Sequence, residues 1–316
     1  MTWTIEMNAK ELACKAEIER VEEKRTSQKD AAARLGISER QFRRKLRRYR
    51  LEGVVGLVSR KRGVPSNRKM EAAIREIVED FINDPLVRGF GPTLMAEKVE
   101  QMKGIRLSKE TLRKMMIEAG VWKAKVKKKA EPHYARPRRK HRGELVQIDG
   151  SEHAWLEDRG PKATLLVFVD DATSQMLAAE FVPEESFFSY GSLCQRYFRE
   201  HGLPKAFYSD RFSVFRVNRR DNLRYEPVTQ FQRALSVLDT ELICANSPQA
   251  KGRVERANQT LQDRLIKEMR LLGISDYEQA NLYLPQFIRD YNRKFAVSPA
   301  SSFDFHCPLD ETHDLA

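Results

Sequence analysis

The sequence is poor in the residues that build disulfide frameworks and zinc sites. Its four cysteines, Cys14, Cys194, Cys244 and Cys307, lie far apart in 316 residues and form no CxxC pair. His133, His141, His153, His201, His306 and His313 form no HxxxH pair near them, so a zinc finger and a disulfide scaffold are set aside in favour of buried thiols and surface imidazoles. No run of about 18 apolar residues occurs, which argues against a membrane span. The first residues, "MTWTIEMNAKELACKAEIERVEEKR", lack the apolar stretch of an export signal, and a cytoplasmic location is expected.

Charge is what the chain has in abundance, and it is unevenly spread. The formal net charge is +12, but residues 1–143 hold 37 Lys+Arg against 19 Asp+Glu (+18), while residues 144–316 hold 20 against 26 (−6). A basic front and an acidic back point to a polyanion, nucleic acid, bound by the front half. With 41% hydrophobic and 32% charged residues, a chain of this length is expected to fold as two or three domains.

Residues 1–62 are expected to form a helix-turn-helix domain. In "TSQKDAAARLGISERQFRRKLRRYRLEG", Ala31, Ala32 and Leu35 make a small apolar face, and Gly36 ends the first helix. Ser38 and Gln41 then form a capping box for the second helix. Ile37, Phe42, Leu46 and Tyr49 recur at helical spacing, which turns Arg40, Arg43, Arg44, Arg47 and Arg48 largely outward, towards a major groove and its phosphates. Residues 63–122 carry a second, weaker helical pattern, "MEAAIREIVEDFIN", "TLMAEKVEQMKG" and "LSKETLRKMMIEAGVW", with Ser108 as a cap and Gly120 as a stop; this predicts a second helix-turn-helix-like or winged DNA-binding unit. Residues 123–143, "KAKVKKKAEPHYARPRRKHRG", cannot form a core and read as a linker whose Lys127, Lys128 and Lys129 follow a phosphate backbone.

From residue 144 to about 300 the pattern turns to strands. "ELVQIDG", "ATLLVFVDD", "SQMLAAEFV", "KAFYSD" and "TELICA" are strand-like, with helices over residues 186–201, over "TQFQRALSVLD", and after the turn "NSPQAKG". The order is β-β-β-α-β-α-β-α. Asp149 closes the first strand, Asp210 the fourth, and Glu255 opens the last helix. If the first and fourth strands are neighbours, the helix brings a third carboxylate to two others. Three such groups repel unless cations bind them, and open oxygen ligands suit Mg²⁺ or Mn²⁺, with two ions able to promote phosphodiester displacement. Asp170 and Asp171, between two strands, read as turn acids and stay outside the site.

"VQIDGS", "VDDATSQMLAAEF", "YSDRFSVF", "NSPQAKGRVERANQTLQDRL" and "YNRKFAVSPASSFDFHCPL", in this order, resemble the α/β, RNase H-like catalytic core of DDE transposases and retroviral integrases. With the helical units in front, nearly the whole chain resembles bacterial insertion-sequence transposases of the ISNCY group. The resemblance implies a mixed five-stranded sheet with helices, and Asp149, Asp210 and Glu255 as catalytic residues holding about two Mg²⁺ or Mn²⁺ ions. It implies Lys251, Arg253, Arg256 and Asn258 as contacts to phosphates near the cleaved end. Partners would be the double-stranded terminal inverted repeats and the target DNA, bound by a homo-oligomer in the nucleoid. Asp210 and Glu255 stand about ten residues further apart than is common in the family, and the tail at 301–316 stops where many members continue into a small barrel. The competing expectation is therefore a truncated or inactive copy that binds ends as an inhibitor or regulator.

Overall fold

The computed structural model describes residues 6–60, 62, 70–124, 136–217, 228–245, 252–311, 313 and 315. The chain divides into two compact units, Met1–Arg75 and Glu76–Ala316. In the first, α1 (Ala9–Glu22), α2 (Gln28–Arg34) and α3 (Glu39–Glu52) enclose a small core of Cys14, Ile18, Ala31, Ala32, Phe42, Leu46 and Leu57. Ser38 and Gln41 form the expected capping box at the head of α3, with bonds of 3.3 and 3.1 Å, and Gly36 takes the left-handed φ of +63° that lets α2 stop. Helix α1 carries no apolar stripe and so has no periodic signal in its residues. It is fixed by a capping box between Asn8 and Glu11 and by the bond from Ser59 N–H to the Glu11 carboxylate (3.0 Å).

The second unit is built on one sheet of β1 (Val146–His153), β2 (Ala163–Asp170), β3 (Met176–Val182), β4 (Ala206–Ser209) and β5 (Glu241–Cys244), in the order β3-β2-β1-β4-β5. The first three strands pair antiparallel, whereas β4 and β5 join in parallel. Strand β2 is buried on both faces: Leu165, Val167 and Val169 enter one core, and Leu166 and Phe168 the other. Helices α7 (Phe187–His201) and α8 (Gln230–Val237) cover one face, while α9 (Gly252–Leu271) and α10 (Tyr277–Phe295) cover the other. Each large apolar side chain so buried contributes about 1.5–3 kcal/mol. The expected mixed five-stranded sheet is present, with β1 and β4 as neighbours.

One boundary differs from the expectation. Strand β1 does not close at Asp149 but runs on to His153, because the antiparallel ladder with β2 continues to His153↔Ala163. The segment "GSEH" looks loop-like locally; its partner strand keeps it extended. Asp149 stands instead where β4 ends and β1 continues without it.

Helices α4 (Ala72–Asn83), α5 (Pro92–Lys103) and α6 (Lys109–Glu118) follow the second helical pattern, and Ser108 caps α6. From Glu76 onward they belong to the same unit as the sheet. Glu97 of α5 takes both Nη atoms of Arg264 on α9 (2.7 and 3.0 Å) and Nζ of Lys294 on α10 (2.8 Å), and Lys98 pairs with Glu268 at 3.2 Å. Helix α5 is thereby clasped to the helical layer that carries the site.

Candidate active site and nucleic-acid interface

Two registers place the acidic residues. Strand β4 pairs with β1 as Val146↔Phe207 and Gln147↔Tyr208, and continuing that parallel register aligns Asp149 with Asp210. Helix α9 is matched to β1 by three side-chain bonds. Gln147 Oε1 accepts from Val254 N–H (3.1 Å), Asp149 Oδ2 from Asn258 Nδ2 (2.8 Å), and Ser151 Oγ from Gln262 Nε2 (3.3 Å). Every second residue of the strand meets every fourth of the helix, since two strand residues and one helical turn of four residues both rise about 6 to 7 Å. Asp149 is therefore held on the α9 face, one turn from Glu255.

Around the acids the environment is mixed. Asp149 is half-buried, while Asp210 and Glu255 are exposed. The Asp210 carboxylate also accepts Phe212 N–H at 2.9 Å, so it shapes the turn that presents it. Tyr190 is fully buried; burial first, and then the charges of Glu185, Asp149 and Asp210, push its hydroxyl well above the ordinary tyrosine value. The hydroxyl keeps its proton and donates to Glu185 Oε1 at 3.4 Å. Glu185, in the turn before α7, lies so close over β1 that a Cβ on Gly150 would fall 1.2 Å from its Oε1 and would displace that carboxylate. A cleft of about 480 Å³ opens beside it, lined by Gly150, Glu152, Lys162, Glu185 and Phe212 among others.

The structure sets Asp149, within β1, beside Asp210 just beyond the end of β4, with Glu255 in the first turn of α9. Among the described residues no three Asp, Glu, His or Cys side chains converge closely enough to form a metal-binding group. Asp149, Asp210 and Glu185 are carboxylate oxygen donors, whose chemistry suits a hard divalent cation.

The expected DNA contacts divide. Arg40, Arg43, Arg44 and Arg47 are exposed on α3 and Arg48 is half-buried, while Phe42 and Leu46 face the core. Arg256 is exposed in the first turn of α9. Arg253 and Asn258 turn inward on the same helix: Arg253 lies 3.3 Å from Asp171 and bonds the Arg136 carbonyl at 3.2 Å, and Asn258 holds Asp149. Lys127, Lys128, Lys129 and Lys251 lie outside the described residues. Reading the sequence missed Gln147 and Glu185. Gln147 could have been found, because it precedes Asp149 by two on the strand and so shares its face.

The helix-turn-helix domain family matches residues 18–63. A protein of Sinorhizobium fredii named "Putative transposase y4bF" is 45% identical over 310 residues, covering 98% of this chain and 67% of its own. The transposase for insertion sequence IS1202 of Streptococcus pneumoniae is 30% identical over 317 residues, covering 88% of this chain and 67% of its own. Among solved structures, the catalytic core domain of HTLV-2 integrase in complex with magnesium (dimeric form) covers 53% of this chain and 98% of its own, at 16% identity and a TM-score of 0.39. A simian T-cell lymphotropic virus intasome in complex with a PP2A regulatory subunit covers 66% of each chain at 15% identity and a TM-score of 0.38. Scores this low carry no weight beside the strand order itself. The two transposases, matched over most of this chain and two thirds of their own length, define its class. The chain belongs to the insertion-sequence transposases.

No helix among the described residues is long and apolar enough to cross a membrane.

Proposed function

We propose that this transposase binds the terminal inverted repeats of its element and catalyses strand cleavage and strand transfer at Asp149, Asp210 and Glu255. The observation that carries the reading is the double register: β4 aligns Asp210 with Asp149, and α9, bonded to Asp149 through Asn258, sets Glu255 one turn away. One or two Mg²⁺ or Mn²⁺ ions held by these carboxylates would supply Lewis-acid activation of the attacking oxygen and neutralise the leaving one. The protein's own contribution is orientation. Asn258 donates to one Asp149 oxygen and so fixes the plane of that carboxylate. Tyr190, still protonated, donates to Glu185 and adds no negative charge to the acidic group. Water or a terminal 3′-hydroxyl attacks phosphorus, the bond to the departing 3′-oxygen breaks, the attacking group's proton passes to solvent, and the departing oxygen takes one from solvent to become a free 3′-hydroxyl.

Arg40, Arg43, Arg44 and Arg47 of α3 would read bases, and Lys127, Lys128 and Lys129 would contact phosphates. Lys251 and Arg256 would lie along the cleaved end, with Arg253 and Asn258 in the layer behind them. A homo-oligomer bridging two ends, with target DNA as second substrate, completes the proposal.

The test is Glu255→Gln on labelled end DNA in Mg²⁺. Cleavage should fall about a thousandfold or more while DNA affinity holds or tightens, because one ligand charge is lost and the polyanion is repelled less. Adding Asp149→Asn should cost little further, since residues acting as a unit are not additive. Cleavage at the wild-type rate by Glu255→Gln would reduce Glu255 to an ordinary helix carboxylate. Tight binding of ends with no cleavage by the wild type would favour the inhibitor reading.

A further inference from the structure

The acids between β2 and β3 do more than shape a turn. Asp171 is fully buried, and groups from three distant parts of the chain converge on its carboxylate. These are the Arg136 guanidinium, the Arg139 N–H (2.7 Å), the Gln147 amide (2.8 Å) and the Arg253 guanidinium (3.3 Å). Its neighbour Asp170, equally buried, takes Gly143 N–H at 2.9 Å and the Thr173 N–H and hydroxyl at 2.8 and 2.6 Å. Arg138 adds bonds to the Ala172 carbonyl (3.2 Å) and Ser174 Oγ (2.8 Å). The arginine-rich strap at residues 136–143 is thus laid along this turn, with Arg138, Arg139 and Lys140 still exposed outward.

The same carboxylate reaches the head of α9 by two routes. Gln147 gives its amide N–H to Asp171 and takes the Val254 N–H on its oxygen, which satisfies one of the donors that a helix start leaves open. Arg253 spans from Asp171 to the Arg136 carbonyl and so ties strap and helix directly. Glu255 follows within the same turn. Removing the charge would leave two guanidinium groups facing one another without a counter-ion, a costly state when partly buried.

We propose that Asp171 is a positioning residue that makes the arginine strap and the first turn of α9 one mechanical unit, so that DNA held by the strap is set in fixed register with Glu255. The clause about DNA and Glu255 rests on the proposed function; the coupling of strap to helix does not.

The experiment compares full-length wild type, Asp171→Asn and Arg136→Met by amide hydrogen exchange without DNA. Amides of residues 254–258 should exchange about fivefold faster or more in both variants, with those of β2 unchanged, because only the local opening of that turn is made easier. Unchanged exchange at 254–258, or an equal acceleration in β2, would overturn the coupling. Should Asp171→Asn not fold, Arg136→Met decides, since its half-exposed side chain belongs to the strap and meets Asp171 and the Tyr208 ring. In the second arm, single-turnover cleavage of saturating labelled end DNA in Mg²⁺ should fall about tenfold in the variants while Kd stays within about threefold. An unchanged rate beside faster exchange would refute the positioning role. A wild type that does not cleave would sink the proposed activity, and the exchange result would still decide the coupling.

Discussion

His306 shows how one buried side chain can make a segment sensitive to acid. Its side chain is 3% exposed, with Nε2 2.6 Å from the Tyr197 hydroxyl and Nδ1 2.5 Å from Asp304. Burial pushes the Tyr197 hydroxyl far up, so it keeps its proton. Burial also pushes His306 below its ordinary value of about 6.5, and the bond to Asp304 opposes this only in part, with Arg142 and His201 adding positive charge nearby. The folded state therefore binds fewer protons than the unfolded chain just below pH 6.5. The His306 contribution is complete above that pH and is lost as pH falls through the depressed folded value. Asp304 is lowered too: burial would raise its carboxyl, but the bonds from His306 and Arg142 outweigh it, so its loss has the same sign at lower, carboxylate pH. Between pH 7 and 5, protection factors of the Phe305 and Cys307 amides, which donate to Arg142 and Leu203 carbonyls, should fall relative to those of β2. A constant ratio would contradict the assignment.

Among the elements, α3 offers a direct test of recognition. Changing Arg43 and Arg44 to Ala should cost about 1–3 kcal/mol of discrimination between end DNA and random DNA, with little effect on fold because both side chains are exposed. Equal loss on both DNAs, measured by competition binding, would assign them to phosphates alone. This helix was legible from its cap and its apolar spacing, both of them local signals. The strands were legible too, because β2 is a continuous apolar run and β4 and β5 end at turn residues. What the sequence concealed was non-local. The extension of β1 depends on β2, and α1 depends on contacts to Leu57 and Ser59. The burial of Asp171 depends on Arg136 and Arg253, far away along the chain, so two acids in a turn gave no hint of it. Asp149 lies within β1, Asp210 just beyond β4 and Glu255 in the first turn of α9, but the part played by Asn258 in holding Asp149 needed the register of α9 on β1.

At the scale of the whole molecule the division of charge governs how salt acts. If the basic front carries the phosphate contacts, replacing Lys127, Lys128 and Lys129 by Ala should weaken binding to end and random DNA alike. The slope of log affinity against log salt should fall by up to about 0.9 per lysine, or about 2.7 in all. Titrations at four or five salt concentrations would show it, and an unchanged slope would remove these lysines from the interface.

The pairing of α9 with β1 behaves like the teeth of a rack. Because Gln147, Asp149 and Ser151 engage Val254, Asn258 and Gln262, the place of Glu255 is indexed by teeth on its own helix and not by the length of chain that leads to it. Residues added between Asp210 and α9 are therefore expected to leave Glu255 in place. A residue added inside α9 between Glu255 and Asn258 would instead turn the helix by about 100° and strip every tooth beyond it.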